Sequence, residues 1–339
     1  MKNPRKHWIL ASFLLSLVLL VMKFYAYYLT QSTAVLTDAL ESIVNVVASG
    51  FAFYSIYLSS LPRDQNHPYG HGKVEFFSAG IEGVLIMLAG LFIIYRAIVS
   101  FIFPEPLGEL PLGMALIILS ALANGALGYM LIRKGKQYES LTLEADGRHI
   151  STDAVSSFVL IIGVGIIYLT DWVWLDGGFS LVFAVYIIYN GYRLVRRSVG
   201  GLMDERHPAS VTTVVKILNR HRQNNWIDIH NMRIQQYGAD KHIDLHLTMP
   251  YYFDLKEVHD EVEVVEEVLE KGMSGHVEVF VHADPCIPEK CCHYCQVKDC
   301  PVRLYPKTKK VQWNMVNMSK NQKHYHDIVG ELGKVKPLK

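Results

Sequence analysis

Apolar residues fill the first two hundred positions in long blocks, at about 8–29, 33–61, 75–103, 111–132, 155–170 and 178–195. A bilayer core takes ~20 helical residues to cross, so these blocks predict six spans. The fifth is short unless its helix begins earlier, near Leu143. The first block ends at Tyr25–Tyr28 without a small-residue cleavage site and reads as a retained anchor rather than a secretory signal.

After Asp204 the periods become those of a soluble domain. Residues 210–223 predict an amphipathic helix. His230–Gln236 and His242–Met249 alternate like two strands joined by a turn at Tyr237-Gly238-Ala239-Asp240. Leu255–Lys271 predicts a second helix and Val277–His282 a third strand. The expected fold is membrane α-helical, with six transmembrane helices, followed by a small cytoplasmic α/β domain of order α-β-β-α-β. Its expected boundaries are 1–200 for the membrane domain, 201–285 for the α/β domain and 286–339 for a Cys-rich, basic extension.

Composition sharpens this division. Of the 339 residues, 50% are hydrophobic and 19% charged, but residues 1–200 carry 14 Lys/Arg and 13 Asp/Glu, whereas residues 201–339 carry 19 and 19. A net charge of +1 excludes a general polyanion binder, so no nucleic-acid partner is expected. Arg5, Lys6, Arg63, Lys73, Arg133, Lys134, Lys136, Arg148, Arg193, Arg196 and Arg197 cluster at alternate ends of the spans. The connections around Thr30–Thr33, Pro104–Pro111 and Thr170–Asp176 hold no Lys or Arg. Positive charge stays inside, so both termini and the C-terminal domain are expected in the cytoplasm, with the protein multi-pass in the cell (inner) membrane.

Polar groups inside the spans need a reason, since a central Asp costs ~2.5–3.5 kcal/mol on insertion scales. In span two, Asp38, Glu41, Ser42 and Asn45 fall at i, i+3, i+4 and i+7, on one helical face. In span five, His149 and Asp153 are i and i+4, close enough to converge on one ion. Two such pairs facing each other would supply the four ligands of a tetrahedral divalent metal. Taken singly, Asp38, Ser42, Asn124 and Glu82 are better explained by interhelical hydrogen bonding or packing than as ligands.

Six spans, the Asp38-Ala39-Leu40-x4-Asn45 form of span two, the loop Asn66-His67-Pro68-Tyr69-Gly70-His71-Gly72-Lys73, the His149-x3-Asp153 pair and the C-terminal domain together resemble the cation diffusion facilitator family of divalent-metal transporters. The resemblance covers about residues 8–285. It implies a transport site at Glu41, Asn45, His149 and Asp153, and a metal/proton antiport by alternating access. Span two departs from the family pattern, since many members carry His or Asp and then Asp where Glu41 and Asn45 stand. Two carboxylates and a neutral imidazole give the site a formal charge of about −2, and its oxygen-rich set is harder than a two-His, two-Asp one. Zinc leads as the expected substrate, with iron, manganese, cobalt and cadmium open. Ligands that must be deprotonated to hold metal couple its binding to proton release, with His149 the expected main proton carrier.

The resemblance also implies a second metal site at Asp64, His67 and His71 in the cytoplasmic loop, and an inter-domain charge contact between Lys73 and Asp204. It implies a metallochaperone-like C-terminal domain that dimerises, with metal ligands at His230, His246, His259, His282 and Asp284. A single strand histidine is more often structural than a ligand, but five matching positions favour a regulatory or dimer-stabilising site. Beyond Asp284 the resemblance thins. All five cysteines, Cys286, Cys291, Cys292, Cys295 and Cys300, fall within 15 residues together with His293. In a reducing compartment such a cluster points to metal rather than disulfides, with redox sensing as the alternative. The remainder from Lys307 is polar and basic with little periodicity, though Trp313 and the His324-Tyr325-His326 cluster are candidates to dock elsewhere on the chain.

The sequence therefore predicts a homodimeric secondary transporter, not an enzyme, which exports divalent cations in exchange for protons. Two rival classes are a membrane metal sensor with static ions, for which no effector domain is visible, and a membrane zinc enzyme, for which the polar residues lie too deep.

Overall fold

The computed structural model describes residues 4–30, 33–102, 111–170 and 174–327, with some helical side chains left undescribed. The chain divides into two compact units, Met1–Met203 and Asp204–Lys339.

The first unit holds six long helices: α1 Pro4–Thr30, α2 Thr33–Ser59, α3 Val74–Ile102, α4 Pro111–Gln137, α5 Leu141–Thr170 and α6 Trp174–Leu202. Helix α5 begins at Leu141, ahead of its apolar block, and its first turns carry Glu144, Asp146, His149 and Asp153. Among the described residues, two segments rather than the expected six are long and apolar enough to cross a membrane: Pro4–Tyr25 and Val74–Val99, with mean hydropathy of 2.1 and 2.2. Polar residues interrupt the apolar sequence elsewhere, for instance at Glu41 and Asn45 of α2.

The helices pack as α1 on α2, α3 on α6 and α4 on α5. Small residues permit this closeness. A methyl group at Gly83 of α3 would come within 2.9 Å of the Gly191 carbonyl of α6, and one at Gly128 of α4 within 2.9 Å of the Gly147 carbonyl of α5. Backbones that approach this closely gain dispersion contacts, which hold helices together where lipid removes the hydrophobic drive.

The second unit begins with α7, Pro208–Arg220. Proline stands in its first turn, and the His207 ring caps it by accepting from the Ser210 N–H. Val211, Val214 and Leu218 form its buried stripe. Strands β1, Asp228–Tyr237, and β2, Asp240–Met249, make an antiparallel hairpin. Its two-residue turn places Gly238 at φ +64°, a conformation glycine adopts without strain. Asp254 and Glu257 form a capping box that starts α8, Leu255–Gly272. This helix is the crossover that returns the chain as β3, Val277–Pro285, parallel to β2. The sheet order is β1-β2-β3, so the predicted α-β-β-α-β order is present, with element ends shifted by up to three residues.

The segment after β3 folds back onto this sandwich. Trp313 and Met318 join the core of Val214, Leu218, Trp226, Leu245 and Leu269, and Arg222 lies 3.8 Å over the Trp313 ring. Tyr294 and Tyr325 pack with Ile227, Cys291 and Cys295 in a smaller cluster. Residues 307–327, which show no periodicity, thus acquire order through long-range packing.

Candidate metal centres

Within the first unit, α2 and α5 meet through their polar residues. Asn45 Nδ2 donates to Asp153 Oδ2 at 2.6 Å, and Asn45 Oδ1 lies 3.1 Å from His149 Nε2. The i, i+4 spacing on α5 places both groups on the face that α2 meets. His149 is buried, and its other ring nitrogen has no hydrogen-bond partner among the described residues. Glu41 lies on α2, with its side chain outside the described residues.

Two further carboxyls adjoin this trio. Asp146, one turn before His149, is fully buried and accepts from Ser12 Oγ of α1 and from Ser49 Oγ of α2 at 2.8 Å. Glu82 of α3 is buried with neither carboxylate oxygen hydrogen-bonded among the described residues, and Asp146 and Asp153 act on it electrostatically. Sequence reasoning had no role for Asp146 and read Glu82 as packing. Only the convergence of α1, α2, α3 and α5 brings these groups to one place.

Glu75 and Glu144 of the same unit have structural partners instead. Glu75 pairs with Arg5 at 2.6 Å and accepts from Ser59 and Ser140. Glu144 pairs with Arg148 and Arg197, each at 2.8 Å.

In the loop between α2 and α3, Asp64 Oδ1 accepts from the backbone N–H groups of Asn66 and His67 and lies 3.1 Å from His67 Nδ1. Its other oxygen lies 3.3 Å from His71 Nε2. The His67 N–H and imidazole hold the Asp64 carboxyl below its ordinary value, so it stays ionised. Gly70, at φ +86°, turns the loop so that both imidazoles approach, with ring centres 4.3 Å apart. Ligand atoms of Asp64, His67 and His71 all lie within 4.8 Å of one another, close enough for one ion.

The second unit builds a similar set from sheet register. His230 faces His246 across β1 and β2, and His246 faces His282 across β2 and β3. Asp284 at the end of β3 lies 3.3 Å from His230 Nε2 and 3.2 Å from His246 Nδ1. His230, His246 and Asp284 have ligand atoms within 4.8 Å of one another, and His282 stands 3.8 Å from Asp284 at the exposed edge. A bulge after His230 puts Asn231 at φ +51°, and its amide reaches His246 Nε2 at 3.0 Å. Burial pushes the His230 pKa down to about 4, despite Asp228 and Asp284 nearby, so this imidazole is neutral and able to coordinate at neutral pH. His259 stands outside the set: it is exposed on α8, 3.4 Å from Glu263.

The five cysteines are free thiols, and all line one small apolar cavity. His293 is not among its lining residues. That imidazole stacks on Tyr305 at 4.8 Å, and its backbone carbonyl accepts from Thr308 and Lys309. Lys73 ends the loop before α3 and Asp204 opens the second unit, but their expected contact rests on the resemblance alone.

A bundle whose buried carboxylates and imidazole converge where helices meet, joined to an α/β domain with a histidine-rich sheet, defines a membrane cation transporter. Residues 9–203 match the cation efflux transmembrane domain, and residues 207–286 match the cytoplasmic domain of cation efflux proteins. The chain belongs to the cation diffusion facilitator family of cation-efflux transporters, and it is a transporter rather than an enzyme. It is 33% identical over 264 residues to a Synechocystis protein named as an uncharacterized transporter, covering 78% of this chain and 85% of that one. It is 26% identical over 281 residues to the cation-efflux pump FieF of Salmonella arizonae, covering 82% and 91%, and 25% identical over 281 residues to FieF of Citrobacter koseri, with the same coverage.

Proposed function

We propose that the chain crosses the membrane six times and exports divalent metal ions from the cytoplasm in exchange for protons, with zinc as the leading cargo. The supporting observation is the contact of Asn45 with both Asp153 and His149, which unites α2 and α5 in one polar centre. His149 can bind a cation only while a ring nitrogen keeps its lone pair, and Asp153 only while ionised. Protonation of either group therefore favours release. The Asn45 amide N–H occupies a lone pair of the Asp153 carboxylate, so ligation through that oxygen breaks the hydrogen bond and frees the lone pair for the ion. Glu41 completes the set. Asp146 and Glu82 add two buried carboxyls beside it.

The loop set of Asp64, His67 and His71 is proposed as an entry site. The set of His230, His246, His282 and Asp284 is proposed as a regulatory site in a domain that joins two copies of the chain as a homodimer. Both termini lie in the cytoplasm on this reading, as the basic loops require.

Purified protein in sealed vesicles, given an imposed pH gradient and zinc, iron(II), manganese, cobalt or cadmium in turn, tests this proposal. Gradient-dependent uptake that disappears in Asp153→Ala supports it. Uptake indifferent to the gradient, or surviving that substitution, contradicts it, and metal binding without any flux would favour the sensor alternative.

A further inference from the structure

The match to the cytoplasmic domain of cation efflux proteins ends at residue 286, so the cysteines from Cys291 onward lie beyond it. Their spacing is symmetric when Cys292 is set aside: Cys286-x4-Cys291-x3-Cys295-x4-Cys300. Cys286 follows directly from β3. A short helix, Pro288–Cys291, and the turn after it then stack Cys295 one helical turn above Cys291, with the Cys295 N–H on the Cys291 carbonyl at 2.9 Å. Cys300 closes the loop before Pro301.

These thiols converge on a cavity of about 10 Å³, whose other lining groups, such as Ile227 and Val297, are apolar. That volume is close to the least that admits one water-sized centre, which suits a single ion and is too small for a multi-iron cluster. Backbone N–H groups point at the sulfurs: Ile287 donates to Cys291 Sγ at 3.4 Å, and Tyr251 and Val297 donate to Cys286 and Cys295. Arg303 adds positive charge beside Cys295 and ties the loop by donating to the carbonyls of Cys292 and Val297. Hydrophobic packing alone would use thiols as small apolar groups, but it would not require five at one cavity or three of them served by backbone donors.

We propose that Cys286, Cys291, Cys295 and Cys300 hold one tetrahedral, zinc-class divalent ion, which staples residues 286–300 to the end of β3. No three of the sulfurs lie within 4.8 Å of one another, as the ligand atoms of the two histidine-aspartate sets do, so sharing one ion takes side-chain rotation. Each of the four thiols gives its proton to solvent as its sulfur bonds to the ion, leaving a site of net charge −2 that Arg303 partly offsets. An all-sulfur set is softer than the oxygen-rich centre of the bundle, so it would retain zinc rather than release it. This site is separate from the transport centre.

Full-length protein in detergent, stripped of metal under reducing conditions and titrated with cobalt(II) alone, tests the assignment. Sulfur-to-cobalt charge-transfer absorption should saturate at one ion per chain and vanish when zinc is added. Sites built of histidine and carboxylate give no such bands, so the transport reading can fail without touching this one. The bands should persist in Asp153→Ala, His246→Ala and Cys292→Ser and disappear in Cys295→Ser and Cys300→Ser. Absence of sulfur bands in the unsubstituted protein, which needs no variant to fold, would overturn the proposal, as would thiols that form disulfides without binding cobalt. Loss in Cys292→Ser with retention in Cys291→Ser would overturn the ligand set.

Discussion

Asn45 of α2 donates to Asp153 of α5 at 2.6 Å, so the uncharged amide of the polar centre orients its carboxylate. Asn45→Ala removes both this orienting bond and a potential oxygen ligand. Loss of a group that positions a metal ligand commonly costs about 10–100-fold in metal affinity. Isothermal titration of zinc onto a protein whose loop and soluble-domain sites are disabled should show a weakening of this size. Asn45→Asp should bind zinc more tightly than the unsubstituted protein and turn over more slowly, because added negative charge favours the loaded state.

The loop set predicts a different kinetic signature. His71→Ala leaves Asp64 with one imidazole and should raise the KM for zinc uptake severalfold while kcat changes little, the pattern of lost binding that is uniform between ground and transition states. Initial rates over a range of zinc concentrations in vesicles check this. A fall in kcat at unchanged KM would place His71 in the transport step itself.

Acid should destabilise the soluble unit in two stages. Unfolded His230 takes up a proton below its ordinary value of 6.5, whereas the folded residue stays neutral down to about 4. The unfolded state therefore binds more protons in that window, and stability falls as pH drops from 6.5 towards 4, by roughly 3 kcal/mol in all. Burial alone would raise the Asp228 carboxyl, but the imidazole and N–H of His324 outweigh it and hold the carboxyl below 3.8. Its contribution is present above 3.8 and lost as pH falls further. Denaturant unfolding of chelator-treated protein should follow this curve, and His230→Gln should flatten the upper stage.

The soluble domain's outline was legible from period and turn residues: strand alternation around Gly238, and helical stripes at Val211, Val214 and Leu218. Of the site residues, His149 and Asp153 were legible because i, i+4 spacing fixes a shared face. His230, His246, His282 and Asp284 were suggested by resemblance, and strand register brings them together; His259 matched in the same way but lies on the exposed side of α8. Asp146 and Glu82 were not legible, because their role depends on which helices pack against α5, a long-range relation that no local spacing encodes. Trp313 stood out as a group that could dock, but not where: a single aromatic in polar sequence has no period, and only the fold shows it enclosed by α7 and the sheet core.

Trp313 thus provides a stability test for the fold-back segment. Its ring lies under Arg222, and its backbone carbonyl accepts from Asn219. Trp313→Ala should cost about 3–5 kcal/mol of soluble-unit stability, the range for emptying a buried large aromatic. Chemical denaturation of the full chain, followed by tryptophan fluorescence with Trp8, Trp172 and Trp174 replaced by Phe, measures it, and a loss under about 1 kcal/mol would mean the segment is peripheral.

Simultaneous recording of zinc entry and luminal pH in vesicles bearing the protein tests the central claim most directly. If His149 and Asp153 exchange metal for protons, a zinc pulse with no preset pH gradient drives protons out of the vesicle as zinc enters, and the luminal pH rises in step with uptake. Asp153→Ala abolishes both signals together. Zinc entry with no change in luminal pH in the unsubstituted protein, buffers and leak accounted for, would contradict the account.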